Sequence, residues 1–218
     1  MKQAGIQSIT VSSLTMAKYF AQDGWNDILV AFPLNLHELP AVQDLLTKYN
    51  DLKLGLTIEN SQALDILAKT DLRVDIYIKV DAGYHRTGIP IQDTPRIRAL
   101  LRTAHHHPTL KAKGVLLHSG HTYNVHGKDE ICRIHDQALR KLASLRQVLE
   151  AHFSNLEYSI GDTPSCSVAK TFAGATELRP GNFVFYDVMQ YYIGSNNLDD
   201  IAVCLACPVV AKHPERHE

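Results

Sequence analysis

Short apolar runs alternate with amphipathic stretches along almost the whole chain, and this alternation limits the possible fold more than any other feature. A strand buried on both faces reads as a nearly continuous apolar run, whereas a covering helix places apolar residues three and four apart. The pattern predicts strands over residues 8–12, 28–32, 52–58, 72–81, 110–117, 156–160 and 176–178. Helices are predicted over residues 14–22, 36–49, 60–68, 94–106, 129–152 and 164–172. Repeated strand–helix units build parallel sheets, because each helix carries the chain back to the same end of the sheet. The expectation is an α/β fold: a (β/α)8 TIM-type barrel lacking its first strand.

A barrel strand left unpaired exposes a row of backbone donors and acceptors. Lys2-Gln3-Ala4-Gly5 reads as the tail of a helix capped by Gly5, which places the first strand–helix unit upstream of Met1. At the other end, residues 201–210 form one more apolar run, read as a strand that begins a C-terminal β domain. Residues 1–195 are thus expected to be an incomplete barrel and 196–218 the start of that second domain, within a longer two-domain protein.

With 218 residues, 45% of them hydrophobic, and a formal net charge of −1, the chain can bury one substantial core and offers no electrostatic case for nucleic acid. No apolar stretch approaches the roughly 20 residues that cross a bilayer, and no secretory leader is evident, so a cytoplasmic location without membrane contact is expected. The four cysteines are too few for a disulfide framework. Cys204 and Cys207 have the spacing of half a zinc site, but on a strand they would face opposite ways, so they are read as buried thiols.

Four segments carry side chains suited to chemistry at strand ends. Around Tyr77-Ile78-Lys79-Val80-Asp81-Ala82-Gly83-Tyr84-His85-Arg86-Thr87-Gly88-Ile89, Val74 and Ile76 just before it and Ile78 and Val80 within it mark one face of the strand, and Gly83 lets the chain turn so that Arg86 points inward. A surface ion pair between Arg86 and Asp81 fits the same residues. His118 ends the run Gly114-Val115-Leu116-Leu117, where an imidazole can stack on a planar ring or move a proton, or serve as a hydrogen-bonded loop residue.

Gly161-Asp162-Thr163-Pro164-Ser165-Cys166-Ser167 opens a helix with hydroxyls and free N–H groups that suit a phosphate, although the same residues make an ordinary N-cap. Asp162 would repel a dianion if it pointed inward. Arg179-Pro180-Gly181-Asn182 leaves a strand end with a glycine that permits close backbone approach, and by itself is a turn. His118, His121 and His126 share no fixed face, so no metal site is assigned within the chain.

These segments together resemble the fold-type III pyridoxal-phosphate enzymes, the group of alanine racemase, D-threonine aldolase and D-serine dehydratase. The likeness rests on the Lys79-x-Asp81-x-Gly83-x-x-Arg86-x-Gly88 pattern, the strand ending at His118 and the Arg179-x-Gly181 turn, and it covers almost the whole chain. It implies that Arg86 approaches the phenolic oxygen of pyridoxal 5′-phosphate, His118 stacks on the pyridine ring, and Arg179 faces the ring nitrogen. The backbone N–H groups of Gly181 and Asn182, with Thr163, would hold the phosphate. Asn182 and Phe185-Tyr186-Asp187 look more like the aldolase and dehydratase branch than like the racemase.

The resemblance implies a lyase acting on a β-hydroxy D-amino acid, by retro-aldol cleavage or loss of water, in a homodimeric full-length protein. A divalent metal, zinc or manganese, would polarise the β-hydroxyl in that parent protein from ligands beyond Glu218. The family's Schiff-base lysine lies on the first barrel strand; neither Lys2, at a helix end, nor Lys79, on another strand, matches it. Little or no activity is therefore expected from these 218 residues alone. A non-catalytic pyridoxal-phosphate carrier and an amino-acid racemase are the alternatives.

Overall fold

The computed structural model of the chain describes residues 1–216. Its strands are β1 (Ile9–Val11), β2 (Asp27–Pro33), β3 (Lys53–Ile58), β4 (Val74–Asp81), β5 (Ile89–Pro90), β6 (Leu110–Leu117), β7 (Glu157–Ile160) and β8 (Glu177–Leu178). The helices are α1 (Leu14–Gln22), α2 (Leu39–Lys48), α3 (Ser61–Leu67), α4 (Thr94–His106), α5 (Lys128–Glu150), α6 (Thr163–Val168) and α7 (Val188–Tyr192). All pairings are parallel, in the order β1-β2-β3-β4-β6-β7-β8, and the two-residue β5 adds to β4. The seven main strands form the curled, open TIM-like barrel expected from the sequence, and β1 and β8 pair with no further strand among the described residues.

Side-chain caps start the helices at the strand–helix turns. Ser13, Asn60, Asp93, Asp162 and Asp187 each accept a bond from a backbone N–H three residues on, satisfying donors that the helix itself cannot. The helix expected over 36–49 is divided: a 3-10 turn over Leu36–Glu38 precedes α2, whose first turn holds Pro40 where no N–H is needed. The predicted helix tail is a single 3-10 turn, Lys2–Ala4, ended by Gly5 in the left-handed conformation. Between sheet and helices lies the main core, with Ile76, Ile78 and Val80 of β4 meeting Ile97, Leu101 and Ala104 of α4 and Leu142 and Leu145 of α5. No described helix is long and apolar enough to cross a membrane.

Residues 201–210 depart from expectation. They pair with no strand, and Leu205 and Val210 are 87% and 92% exposed. An apolar run needs a neighbouring strand to satisfy its backbone, and none of the described residues supplies one. Cys204 and Cys207 consequently lie exposed rather than buried. The last two residues of the expected 196–218 segment lie outside the described residues.

The β4/β6 register shifts between Ile76 and Tyr77, where Ala112 and Gly114 flank Lys113. A side chain at position 114 would collide with the Glu157 carbonyl of β7. Gly114→Ala is expected to cost about 3 kcal/mol, at the upper end for overpacking, and to lower Tm by roughly 6–12 °C in thermal unfolding followed by circular dichroism. An unchanged Tm would contradict this packing.

Candidate functional site

Strand parity determines which residues face the hollow of the sheet. Val74, Ile76, Ile78 and Val80 belong to the core under the helices, so Asp75, Tyr77 and Lys79 point the other way. Tyr77 packs there with Leu29, Leu116 and Ala31 in a small separate apolar cluster. Its hydroxyl donates to Glu157, which also pairs with Lys113 at 2.7 Å. That cluster and ion pair fill the lower part of the barrel and leave its C-terminal mouth to the charged residues above.

Arg179 follows β8 into this mouth, with only 7% of its side chain exposed. Nη2 donates to the carbonyls of Leu117 (3.1 Å) and Ser159 (3.0 Å), and Nε donates to the Ser159 hydroxyl. Ser159 in turn donates to Glu177, whose carboxylate lies 3.5 Å from Arg179. Burial lowers the Arg179 pKa to about 10, with Glu177 opposing the shift, so the guanidinium is charged at neutral pH. Gly161 lets the backbones of β7 and β8 approach so closely that a Cβ there would lie 2.5 Å from the Arg179 carbonyl oxygen.

Lys79 is 4% exposed, and its ammonium has no hydrogen bond or ion pair among the described residues. Burial lowers its pKa to about 7, helped by the positive charges of Arg179 and Arg86 and opposed by Glu59 and Asp81. His118 lies beside it. Burial lowers the His118 pKa to about 4, and Lys79, Arg86 and Arg179 push the same way, so the imidazole is neutral. A neutral ring with Nδ1 at 2.5 Å from the Gly161 carbonyl carries its proton on that nitrogen and donates it there.

The loop after β4 is fixed by Asp81, whose carboxylate accepts from the N–H groups of Gly83, Tyr84 and His85. Burial raises its pKa, but those three bonds outweigh burial and hold it below the usual carboxylate value. Asp81 pairs with His85 at 3.0 Å, so the surface pair with Arg86 does not form. Arg86 instead sits at the rim, its guanidinium 5.1 Å from the Phe32 ring and 5.0 Å from the Tyr84 ring. Tyr84 also lies 5.8 Å from the His118 ring and packs against Gly120, where a side chain would collide with it.

At the opposite rim, Asp162 points into the protein. Its Oδ1 accepts from Thr122 Oγ1 and the Ser165 N–H, both at 2.8 Å, so it acts as an N-cap and faces no ligand. The first N–H of α6, on Thr163, donates to the Tyr123 hydroxyl at 3.2 Å, and Thr163 is wholly buried. Thr163 Oγ1 accepts from the Asn182 N–H at 2.9 Å, tying α6 to the turn after β8. Gly181 is exposed there, with open space where a side chain would project.

Arg86, His118 and Arg179 therefore meet at the mouth as the sequence suggested, and Thr163, Gly181 and Asn182 form its far rim. Sequence patterning missed Lys79, Tyr84 and Tyr123. The alternation that buried Ile78 and Val80 already placed Lys79 on the inner face, which was the usable signal.

Comparisons with known proteins agree with the fold. Residues 1–188 match the family described as alanine racemase, N-terminal domain. The chain is 30% identical over 221 aligned positions to a D-threo-3-hydroxyaspartate dehydratase of Delftia sp. and 27% identical over 227 to a D-serine dehydratase of Dictyostelium discoideum. It covers 57% of each of those proteins, while the alignments take in 99% and 97% of this chain. The solved Delftia dehydratase superposes with a TM-score of 0.85 over 92% of this chain and 54% of its own, and a mutant of it is known in a metal-free form.

The buried amine makes a prediction for stability. Folded Lys79 releases its proton near pH 7, whereas a free lysine does so at 10.5. Between those values the unfolded chain holds the extra proton, so raising the pH favours the folded state. Urea unfolding from pH 7 to pH 10 is expected to show a stability slope steeper than that of Lys79→Met by up to about 1.4 kcal/mol per pH unit. Equal slopes would mean that Lys79 is not held in a desolvated, cationic setting.

Proposed function

The chain belongs to the alanine racemase N-terminal domain family, and on that premise we propose that its barrel mouth binds pyridoxal 5′-phosphate in a lyase acting on a β-hydroxy D-amino acid. The observation that carries the proposal is the gathering of Lys79, Arg86 and Arg179 around a neutral His118, with Glu177 as the one carboxylate paired to them among the described residues. Such a surplus of positive charge calls for an anionic ligand, and a flat one fits beside an imidazole and a tyrosine ring. The dehydratases named above add the substrate class: each is a relative whose substrate is a D-amino acid bearing a β-hydroxyl.

The residues present fit the cofactor. The N–H groups of Gly181 and Asn182 would take its phosphate, the latter exchanging its bond to Thr163. His118 would lie against the ring, held in one tautomer by Gly161. Arg86 would meet the phenolic oxygen, its guanidinium oriented by Phe32 and Tyr84. Arg179 has Nε and Nη2 engaged, leaving Nη1 for the ring nitrogen; a charged donor there keeps that nitrogen unprotonated. When bound, the cofactor supplies a sink for electron density developing at the substrate α-carbon. The proposal includes a divalent metal, zinc or manganese, at the β-hydroxyl. No group of three His, Cys, Asp or Glu gathers among the described residues to hold it.

Calorimetric titration of the folded chain with pyridoxal 5′-phosphate tests the pocket. One saturable site is expected, in competition with inorganic phosphate. Arg86→Ala should bind about ten-fold more weakly or worse, the loss of one charge-assisted hydrogen bond. A folded chain that takes up no cofactor would overturn the assignment.

A further inference from the structure

The loop that carries Arg86 is held at both ends by carboxylates, and the second comes from another strand. At its start, Asp81 accepts from the N–H groups of Gly83, Tyr84 and His85. At its end, the carboxylate of Glu59, the residue after β3, accepts from the Gly88 N–H at 2.6 Å. Glu59 is itself placed by rigid neighbours: Asn60 caps α3 directly after it, and Arg96 of α4 donates to its carbonyl at 2.9 Å. Gly88 has a φ of +108°, a conformation that suits glycine, and a Cβ there would come 2.9 Å from the Val80 carbonyl carbon. Glycine permits this close approach but does not enforce it. The Glu59 bond ties to β3 a loop end whose other cross-strand backbone bonds go to β4.

Arg86 lies between the two anchors, and its guanidinium has no hydrogen bond or ion pair among the described residues. It rests 5.1 Å from the Phe32 ring and 5.0 Å from the Tyr84 ring. Contacts of a cation with ring faces tolerate a range of directions, so the aim of the side chain follows from the backbone beneath it. We propose that Glu59 is a positioning residue, which by anchoring the Gly88 amide aims Arg86 at the ring oxygen of a phosphorylated pyridine in the barrel mouth. The inference rests on the pocket proposed above. Its sign separates it from a plain charge effect. Glu59 lies close enough to act on the charge of Lys79, and a carboxylate there repels an anionic ligand. A purely electrostatic role therefore predicts tighter binding in both Glu59→Gln and Glu59→Ala. An anchor predicts a split, because glutamine keeps an acceptor for the Gly88 N–H and alanine does not.

Calorimetry with pyridoxine 5′-phosphate tests this, and absorbance of the bound ligand reports ionisation of its 3-hydroxyl, the group that Arg86 would meet. Glu59→Ala, shown by circular dichroism to be folded, is expected to bind about five-fold more weakly or worse and to need a higher pH for that ionisation. Glu59→Gln should match or exceed the unaltered chain in both respects. Inorganic phosphate, which has no ring oxygen, should bind Glu59→Ala no more weakly than the unaltered chain. Equal weakening of both ligands in Glu59→Ala would mark a merely structural role and overturn the inference, as would alanine and glutamine variants that behave alike. Amide exchange needs no variant: relative to intrinsic rates, the Gly88 proton of the unaltered chain should exchange about ten-fold more slowly than that of Thr87, whose N–H has no acceptor among the described residues. Equal rates would also overturn the role of Glu59 and leave the pocket standing. Failure of pyridoxine 5′-phosphate to bind the unaltered, folded chain would overturn the pocket and the inference with it.

Discussion

The buried guanidinium of Arg179 is the interaction on which the upper half of the barrel depends. Through Leu117, Ser159 and Glu177 it joins the ends of three neighbouring strands, β6, β7 and β8. Desolvating such a charge is expensive, and it is tolerable here because two carbonyls and a hydroxyl accept from its Nε and Nη2 and a carboxylate lies 3.5 Å away. Ser159 links the two, accepting from Arg179 and donating its hydroxyl hydrogen bond to Glu177. With the strand ends joined in this way, Gly161 brings β7 and β8 close, and the turn through Gly181 and Asn182 falls next to α6.

The same charge shapes the chemistry nearby. Arg179 and Arg86 add to burial in lowering the proton affinity of Lys79 and of His118, so the mouth presents two fixed cations, one titrating amine and one neutral ring. Below them, Tyr77, Leu29 and Leu116 form a small apolar cluster, with the Tyr77 hydroxyl reaching the Glu157–Lys113 pair beyond it. Polar groups at the mouth thus lie over an apolar floor, a setting in which electrostatic interactions are stronger than in water.

Much of this was legible in the sequence, because local rules and the fold agree. The helix over 94–106 and the strand over 110–117 agree with the ranges that the apolar pattern predicts, and the structure adds the Asp93 cap. Arg86, His118 and Arg179 could be placed because each follows a strand, and parallel strands deliver their ends to one face. What local patterning could not show was long-range. Thr163 lies buried under a turn nineteen residues away, and Tyr123 takes the helix N–H that looked free for an anion. The apolar stretch 201–210 reads as a strand in isolation, but a strand is a property of a pair, and it has no partner among the described residues. Lys79 lies on a different strand from the lysine that the resemblance implies, yet parity alone turns it inward.

The proposed binding of a phosphorylated pyridine is confined to the cationic mouth. Backbone amide chemical-shift mapping during titration with pyridoxine 5′-phosphate tests it most directly. Saturable shifts are expected at Gly161, Gly181 and Asn182 and in the loop from Gly83 to Gly88, with the amides of β1 and α2 unmoved; shifts centred elsewhere, or none in a folded chain, would contradict this binding.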